Sequence, residues 1–459
     1  MKYISTRGGV APQSFSNVVL EGLARDGGLY LPETTPDFSS KLDSLKSLNY
    51  QDLAVEIFTP FVEDCMSKGE LKALVYKSYE SFTDTAITPL VKVNDIHVLE
   101  LFHGPTFAFK DLALQFLGNL FEHFLTKEGR KLNILGATSG DTGSAAIYGV
   151  RGKAGIDIFM LHPEGRVSPV QERQMTTVTD ANVHNIAVKG TFDDCQALVK
   201  SCFNDLEFRD QYKLGAVNSI NWARVLAQIS YYFFAYFRFL EKNPGKTPRF
   251  SVPTGNFGDI FAGYMAKSMG LPMGKLILAT NSNDILSRAV INGDYSTKDV
   301  TATYSPSMDI QLASNFERYL FFLLNKDGKE LSSRMEAFGK TGTLPLSDEE
   351  KAKIKLNFDG CAVSEEETLA TIKAHHEKGY LLDPHSAIGI CAAKNLKAEN
   401  PICLATAHPA KFVDAVVKAT GAEPPKPEAI AALSGCETRL AKSDATVTAI
   451  QGILKDTLA

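Results

Sequence analysis

From Leu132 onward, short apolar runs alternate with segments of helical length, and that alternation narrows the fold more than any other feature of the sequence. LNILG, a helix through SAAIYGV, IDIFML, a helix near SPVQERQM, NVHNIAV and a helix over 192–203 form one series. A second series has a helix over 222–240, strand FSVPT, a helix over 260–269, strand KLILAT and a helix over 285–291. ICLATA (402–407) and a helix over 410–419 close it. Strands separated by helices predict parallel sheets with crossover connections. The expected fold is α/β with two parallel-sheet units. Residues 1–90 carry helical patterns at 50–61 and 70–79 and few strand signals, so they are expected to form an N-terminal helical region. Residues 132–204 are assigned to a small α/β domain, and 91–131 with 205–459 to a larger one. A polar stretch at about 293–365 reads as an irregular insertion with some helix.

Charge and cysteine usage remove several classes of function. Lys plus Arg is 48 against 53 Asp plus Glu, a net charge of -5. That leaves no basic excess for a phosphate backbone, so nucleic acid is not an expected partner. The 7 cysteines are scattered without a C-x-x-C pair, as free thiols in a reducing compartment would be. No H-E-x-x-H or clustered histidine spacing occurs, so no metal is expected. The most apolar stretch, 225–240, is shorter than the roughly 18 residues of a membrane span and contains Gln228 and Arg238. It reads as a buried helix, with no membrane as partner. The start, MKYISTRGGVAPQ, lacks the apolar segment of a secretory signal, and a cytoplasmic location is expected.

In open α/β sheets ligands collect beyond the carboxyl ends of strands. Three segments occupy such ends. GATSGDTGS (136–144) combines glycines for close backbone approach with hydroxyls at a helix start, which suits a carboxylate or phosphate. Its G-x-x-x-G-x-x-G spacing is neither a dinucleotide fingerprint nor a Walker loop. A glycine-rich turn made for tight packing would look similar. PTGNFGD (253–259) follows FSV and precedes a helix, so amides from Gly255 to Gly258 suit a phosphate, while Asp259 could simply cap the helix. Thr406, at the end of ICLATA, could likewise be only a cap. LFHGPTFAFKD (101–111) is the most informative segment. Lys110 lies among aromatic residues at a helix start, where the macrodipole opposes a cation. Apolar surroundings and that dipole both favour the neutral amine that nucleophilic or Schiff-base chemistry requires. A snorkelling lysine paired with Asp111 is the competing reading.

A lysine able to be neutral, beside two anion cradles, points to pyridoxal phosphate (PLP). At these residues the sequence resembles the threonine synthase family in its long bacterial and fungal form. The resemblance is carried by HGPTFAFKDLALQF, SGDTGSAA, SPVQERQM, AVNSINWARVLAQISYY, VPTGNFGDIFAG, DPHSA, LATAHPAKF and the opening YISTRGG…LEGLARDGGLYLP. It runs from Met1 to about Glu423 and is weak at 293–365. It implies fold-type II of PLP enzymes, the tryptophan synthase β-like group. Lys110 would carry PLP as a Schiff base and act as the catalytic base. Gly255, Asn256, Phe257, Gly258 and Asp259 would form the cofactor phosphate loop, and Thr406 would meet the pyridine nitrogen. Thr138, Ser139, Asp141 and Thr142 would take the substrate, with Arg173 as candidate phosphate cation or else a surface arginine. The implied reaction turns O-phospho-L-homoserine and water into L-threonine and phosphate, in a monomer or homodimer. A dehydratase or cysteine synthase-like enzyme would share the lysine and phosphate loop but not the N-terminal and SPVQERQM segments. A PLP-binding sensor would not need an intact lysine.

Overall fold

The computed structural model describes residues 1–458. Two sheets organise the molecule. The larger has six strands in the order Phe358–Ala362, Leu276–Thr280, Arg249–Pro253, Pro401–Ala405, Ile96–Glu100 and Leu90–Val93. All neighbours are parallel except the last pair, a hairpin that sets Leu90 opposite Leu99 in antiparallel register. The smaller sheet has five parallel strands in the order Ala441–Asp444, Val183–Lys189, Ile156–Pro163, Leu132–Ala137 and Leu214–Gly215.

The strands form where β-branched and large apolar residues run without interruption, as in LILAT and ICLA, because both faces of a parallel sheet are covered. One helix covers much of that surface. Trp222–Lys242 is buried along nearly its whole length, which is why its sequence is apolar on all sides. It packs against helices Lys110–Glu128, Tyr50–Val62 and Gly258–Ser268. Among the described residues no helix is long and apolar enough to cross a membrane.

Three expectations need correction. The N-terminal region holds helices Tyr50–Val62 and Lys68–Tyr79 but also an antiparallel strand pair, Tyr3–Ser5 with Tyr30–Pro32. Three-residue strands are too short to show a period of two. The segment 293–365 is not an irregular insertion. It contains helices Phe316–Leu323, Gly328–Thr341 and Asp348–Asn357, and its strand Phe358–Ala362 forms one edge of the large sheet. Its residue Gly360 has no strand preference but lets helix Ile285–Asn292 pack closely, since a Cβ there would meet Ser287 O at 3.1 Å. The tail does not belong with the large unit. Strand Ala441–Asp444 extends the small sheet, and helix Val447–Leu458 packs on helix Phe192–Asn204.

Candidate active site

Lys110 opens helix Lys110–Glu128 and is only 8% exposed. Its Nζ donates to Ser307 Oγ at 3.3 Å and lies 3.5 Å from Asp141 Oδ2. The competing pairing with Asp111 does not occur, because that carboxylate accepts from Thr106 N and Thr106 Oγ1 at 2.8 and 2.6 Å. Burial lowers the Lys110 amine below its ordinary value, while Asp141 pulls the other way. Phe109 N donates to Thr406 O at 2.8 Å, so the end of strand Pro401–Ala405 abuts the start of the lysine helix. Thr406 is buried and its hydroxyl has no partner among the described residues.

Strand Arg249–Pro253 ends in the loop Gly255–Phe257, and helix Gly258–Ser268 follows. Gly258 N donates to Asn256 Oδ1 at 2.9 Å. Among the described residues, the amides of Gly255, Asn256, Phe257, Asp259 and Ile260 meet no protein acceptor. Five free amides at a helix N-terminus form an anion cradle. A Cβ on Gly255 would stand 2.9 Å from Ser307 O, so the segment that touches Lys110 also touches this loop.

Two side chains of the loop turn away from it. Phe257, at φ 67°, buries its ring against Phe316 and Phe358. Asp259 accepts from Tyr231 Oη and Tyr232 Oη at 2.5 and 2.8 Å, and burial pushes its carboxyl up to about 6. Both can serve an anion only through their amides.

The second loop lies on the other side of Lys110. Thr138 is buried and its Oγ1 accepts from the amides of Gly140 and Gly143 at 2.9 and 2.8 Å, so this hydroxyl organises the loop. Ser139 is exposed and Thr142 half-buried, and neither hydroxyl has a partner among the described residues. Asp141 is drawn inward. Its Oδ1 meets Lys411 Nζ at 2.9 Å and Gln171 Nε2 at 2.7 Å. Burial alone would raise its pKa, but Lys411 and Lys110 outweigh that and hold it well below the usual carboxylate range. An anion held this way cannot donate to an anionic substrate.

Arg173 is not a free cation. Its guanidinium donates to the carbonyls of Leu433, Ser434 and Cys436, which fastens the tail to helix Pro169–Thr176. Arg224 is free. It is 4% exposed, its Nε and Nη1 are buried without a partner among the described residues, and it is among the charges that act on Lys110. Burial brings its guanidinium down to about 10. Sequence reasoning missed Arg224, Lys411, Ser307 and His385. The first two carry the signal that exposed Lys110: a cation in or just before the first turn of a helix, among apolar neighbours.

Residues 2–79 match the family model "Threonine synthase N terminus", 83–405 match "Pyridoxal-phosphate dependent enzyme", and 386–454 match "Threonine synthase, C-terminal". The chain belongs to the threonine synthase family. It is 48% identical over 446 residues to the threonine synthase of Pseudomonas aeruginosa, covering 96% of this chain and 95% of that one. A crystal structure of PLP-bound threonine synthase from Brucella melitensis superposes with a TM-score of 0.96 at 45% identity, covering 100% and 99% of the two chains. The yeast threonine synthase structure gives 0.95 at 42% identity, with 100% and 98% covered. The fold is therefore fold-type II, the cofactor is PLP and the activity is that of a threonine synthase. The free amides after Gly255 and the buried Lys110 fit that cofactor.

Proposed function

We propose that this chain makes L-threonine and phosphate from O-phospho-L-homoserine and water, with PLP carried on Lys110. The amides of Gly255, Asn256, Phe257, Asp259 and Ile260 would hold the cofactor phosphate, and Thr406 Oγ1 would meet the pyridine nitrogen. A hydroxyl at that place leaves the ring nitrogen unprotonated, whereas a carboxylate would favour the charged form. PLP, when bound, supplies the electron sink that acidifies the substrate's Cα and Cβ protons.

Everything else falls to the chain's own groups. Burial keeps Lys110 Nζ able to be neutral, so it can take the Cα proton and later return it. Several proton transfers at adjacent carbons favour one mobile amine over fixed carboxylates. Ser139 and Thr142 donate to one anionic end of the substrate, and Arg224 takes its phosphate. Asp141, paired with Lys411, orients Lys110 without meeting the substrate. The reaction breaks the Cγ–O bond to phosphate and one Cβ–H bond; a proton is gained at Cγ, water's hydroxyl adds at Cβ, and water's remaining proton leaves with the phosphate.

The observation that carries this reading is Arg224. A guanidinium buried without any partner is costly unless an anion arrives to meet it, and the amide cradle already accounts for one phosphate. Two anion sites around one lysine fit a phosphorylated cofactor and a phosphorylated substrate. The two sheet units, the smaller built on 132–204 and completed by the tail, supply one cradle each. Seven free cysteines suit a cytoplasmic location.

Purified protein given PLP and O-phosphohomoserine should release threonine and phosphate in equal amounts. Arg224→Met should raise KM by about 10- to 100-fold while the bound-cofactor absorption band persists. Release of 2-oxobutyrate without threonine would mean a dehydratase, and loss of the band in Arg224→Met would give the arginine to the cofactor instead.

A further inference from the structure

Asp383 caps helix Pro384–Asn395 and is fully buried. Two paths of hydrogen bonds leave this carboxylate; one ends at Lys110 and the other at its neighbour Phe109. In the first, Oδ2 lies 2.8 Å from His385 Nδ1, and His385 Nε2 lies 3.2 Å from Ser307 N. Because Ser307 N–H is a donor, Nε2 must be the bare nitrogen and Nδ1 must carry the proton that Asp383 accepts. Ser307 Oγ then receives Lys110 Nζ at 3.3 Å. In the second path, Ser386 Oγ donates to Asp383 Oδ1 and accepts from Thr406 N at 3.0 Å. Thr406 O in turn accepts Phe109 N at 2.8 Å. One path therefore reaches the amine end of the lysine, and the other reaches the backbone of Phe109, the residue before it.

His385 is 4% exposed, and the ring of Phe412 packs edge-on against it at 4.7 Å, a second contact that holds the imidazole. Without the His385 bond, the half-buried Ser307 N–H would lose its protein acceptor, and the segment Pro306–Met308 would be free to shift toward another. That segment also stands against Gly255. A change at His385 would thus be felt at Lys110.

We propose that His385, oriented by Asp383, is a positioning residue that acts through Ser307 to hold the Lys110 amine in its reactive place. This rests on Lys110 being the residue that carries PLP. A stepwise test begins with wild type, by borohydride reduction of the holoenzyme and mapping of the labelled peptide. A label elsewhere than Lys110 removes the underlying reading, whatever the variants do.

With the label at Lys110, apoenzyme is mixed with PLP and the growth of the visible band is timed, since that rate reports capture of the cofactor carbonyl by the amine without any turnover. His385→Leu should slow band growth by about tenfold, the effect of one lost hydrogen bond. His385→Gln, whose Oε1 can still accept Ser307 N–H, should recover to within about twofold of wild type. In steady-state assays the Leu variant should lose kcat with KM nearly unchanged. Equal slowing in the Leu and Gln variants, or none in either, overturns the proposal. Should His385→Leu fail to fold, Ser307→Ala decides. It leaves the backbone bond to His385 in place and removes only the hydroxyl that meets Lys110. Slowing comparable to that expected for His385→Leu supports the path, and a wild-type rate overturns it.

Discussion

The two glycine-rich loops on either side of Lys110 look alike in sequence and differ in what accompanies their main chain. After strand Arg249–Pro253 the cradle is main chain alone: five amides meet no acceptor among the described residues, Phe257 is buried in an aromatic cluster, and Asp259 turns to Tyr231 and Tyr232. After strand Leu132–Ala137 the amides of Gly140 and Gly143 are spent on Thr138, those of Ser139, Asp141 and Thr142 meet no acceptor among the described residues, and the unpartnered hydroxyls of Ser139 and Thr142 add side-chain donors beside them. Amides cannot rotate away and suit an anion that stays through every turnover. Hydroxyls on rotatable side chains suit one that arrives and leaves. On the proposed reading the same glycine signature would serve a resident phosphate in one loop and a passing carboxylate or phosphate in the other.

Each loop also carries one buried acid, and the strongest test sets these two against each other. Asp141 stands between Lys411, whose side chain is fully buried, and Lys110. Asp141→Asn leaves Lys411 without its counter-charge, which should cost about 3–5 kcal/mol, read as a large drop in melting temperature at neutral pH. Asp259 has no cation, and burial raises it to about 6. Its stabilising contribution is full below the unfolded carboxylate value near 4 and is lost as pH rises through about 6. Asp259→Asn keeps an acceptor for the tyrosines and removes that penalty, so its melting temperature at pH 7.5 should not fall. The pH dependence of Asp141 has the other sign: its contribution is present above about pH 4 and disappears as pH falls below that. Equal losses in the two variants would show that the acids are equivalent after all.

The hydroxyl loop comes next. Ser139→Ala or Thr142→Val should each cost about 1.5–3 kcal/mol in kcat/KM, one hydrogen bond to a charged group, with the cofactor band unchanged. Release of cofactor from either variant would mean that the resident anion sits in this loop. Gly255→Ala probes the main-chain cradle. Its Cβ would stand 2.9 Å from Ser307 O and 3.2 Å from Met308 Cα, both backbone atoms that cannot swing aside. Overpacking of this kind costs about 1–3 kcal/mol, here expected as weaker PLP binding in titrations of the apoenzyme. A normal PLP affinity would show that the amides tolerate displacement and that the cradle is not rigid.

These residues also show what a sequence reveals and what it conceals. The sheets were legible because a buried parallel strand must be apolar on both faces, and LNILG, IDIFML and ICLATA are. Lys110 was legible because a cation at a helix start conflicts with the dipole. Strand Phe358–Ala362 was hidden because FDGCA pairs through its backbone while its side chains follow no alternation. The fates of Asp141 and Arg173 were hidden for another reason. Whether a charged residue in a loop meets the ligand, another side chain or a distant carbonyl depends on segments 270 and 260 residues away, at Lys411 and Leu433. No local pattern encodes that choice. The free guanidinium of Arg224 is the counterpart, visible only once all its possible partners are seen to be elsewhere.

The two arginines give the smallest and sharpest contrast. Arg173 lies on helix Pro169–Thr176, next to the hydroxyl loop, where a phosphate cation would be expected from sequence position alone. Its donors are instead shared among the carbonyls of Leu433, Ser434 and Cys436. An arginine whose Nε and Nη2 are held by carbonyls at a partly solvent-exposed site gains little and keeps only Nη1 to offer a substrate. Arg173→Met should therefore loosen the tail at a cost of about 1 kcal/mol, seen as faster proteolysis between helices Glu428–Ala432 and Val447–Leu458. KM for the phosphorylated substrate should stay within about twofold of wild type, since no bond to substrate is removed. Arg224→Met, which removes the unpartnered cation, should raise it. If Arg173→Met raised KM as much as Arg224→Met and left the tail intact, the carbonyl clasp would have to open in the working enzyme, and the substrate phosphate would belong to helix Pro169–Thr176.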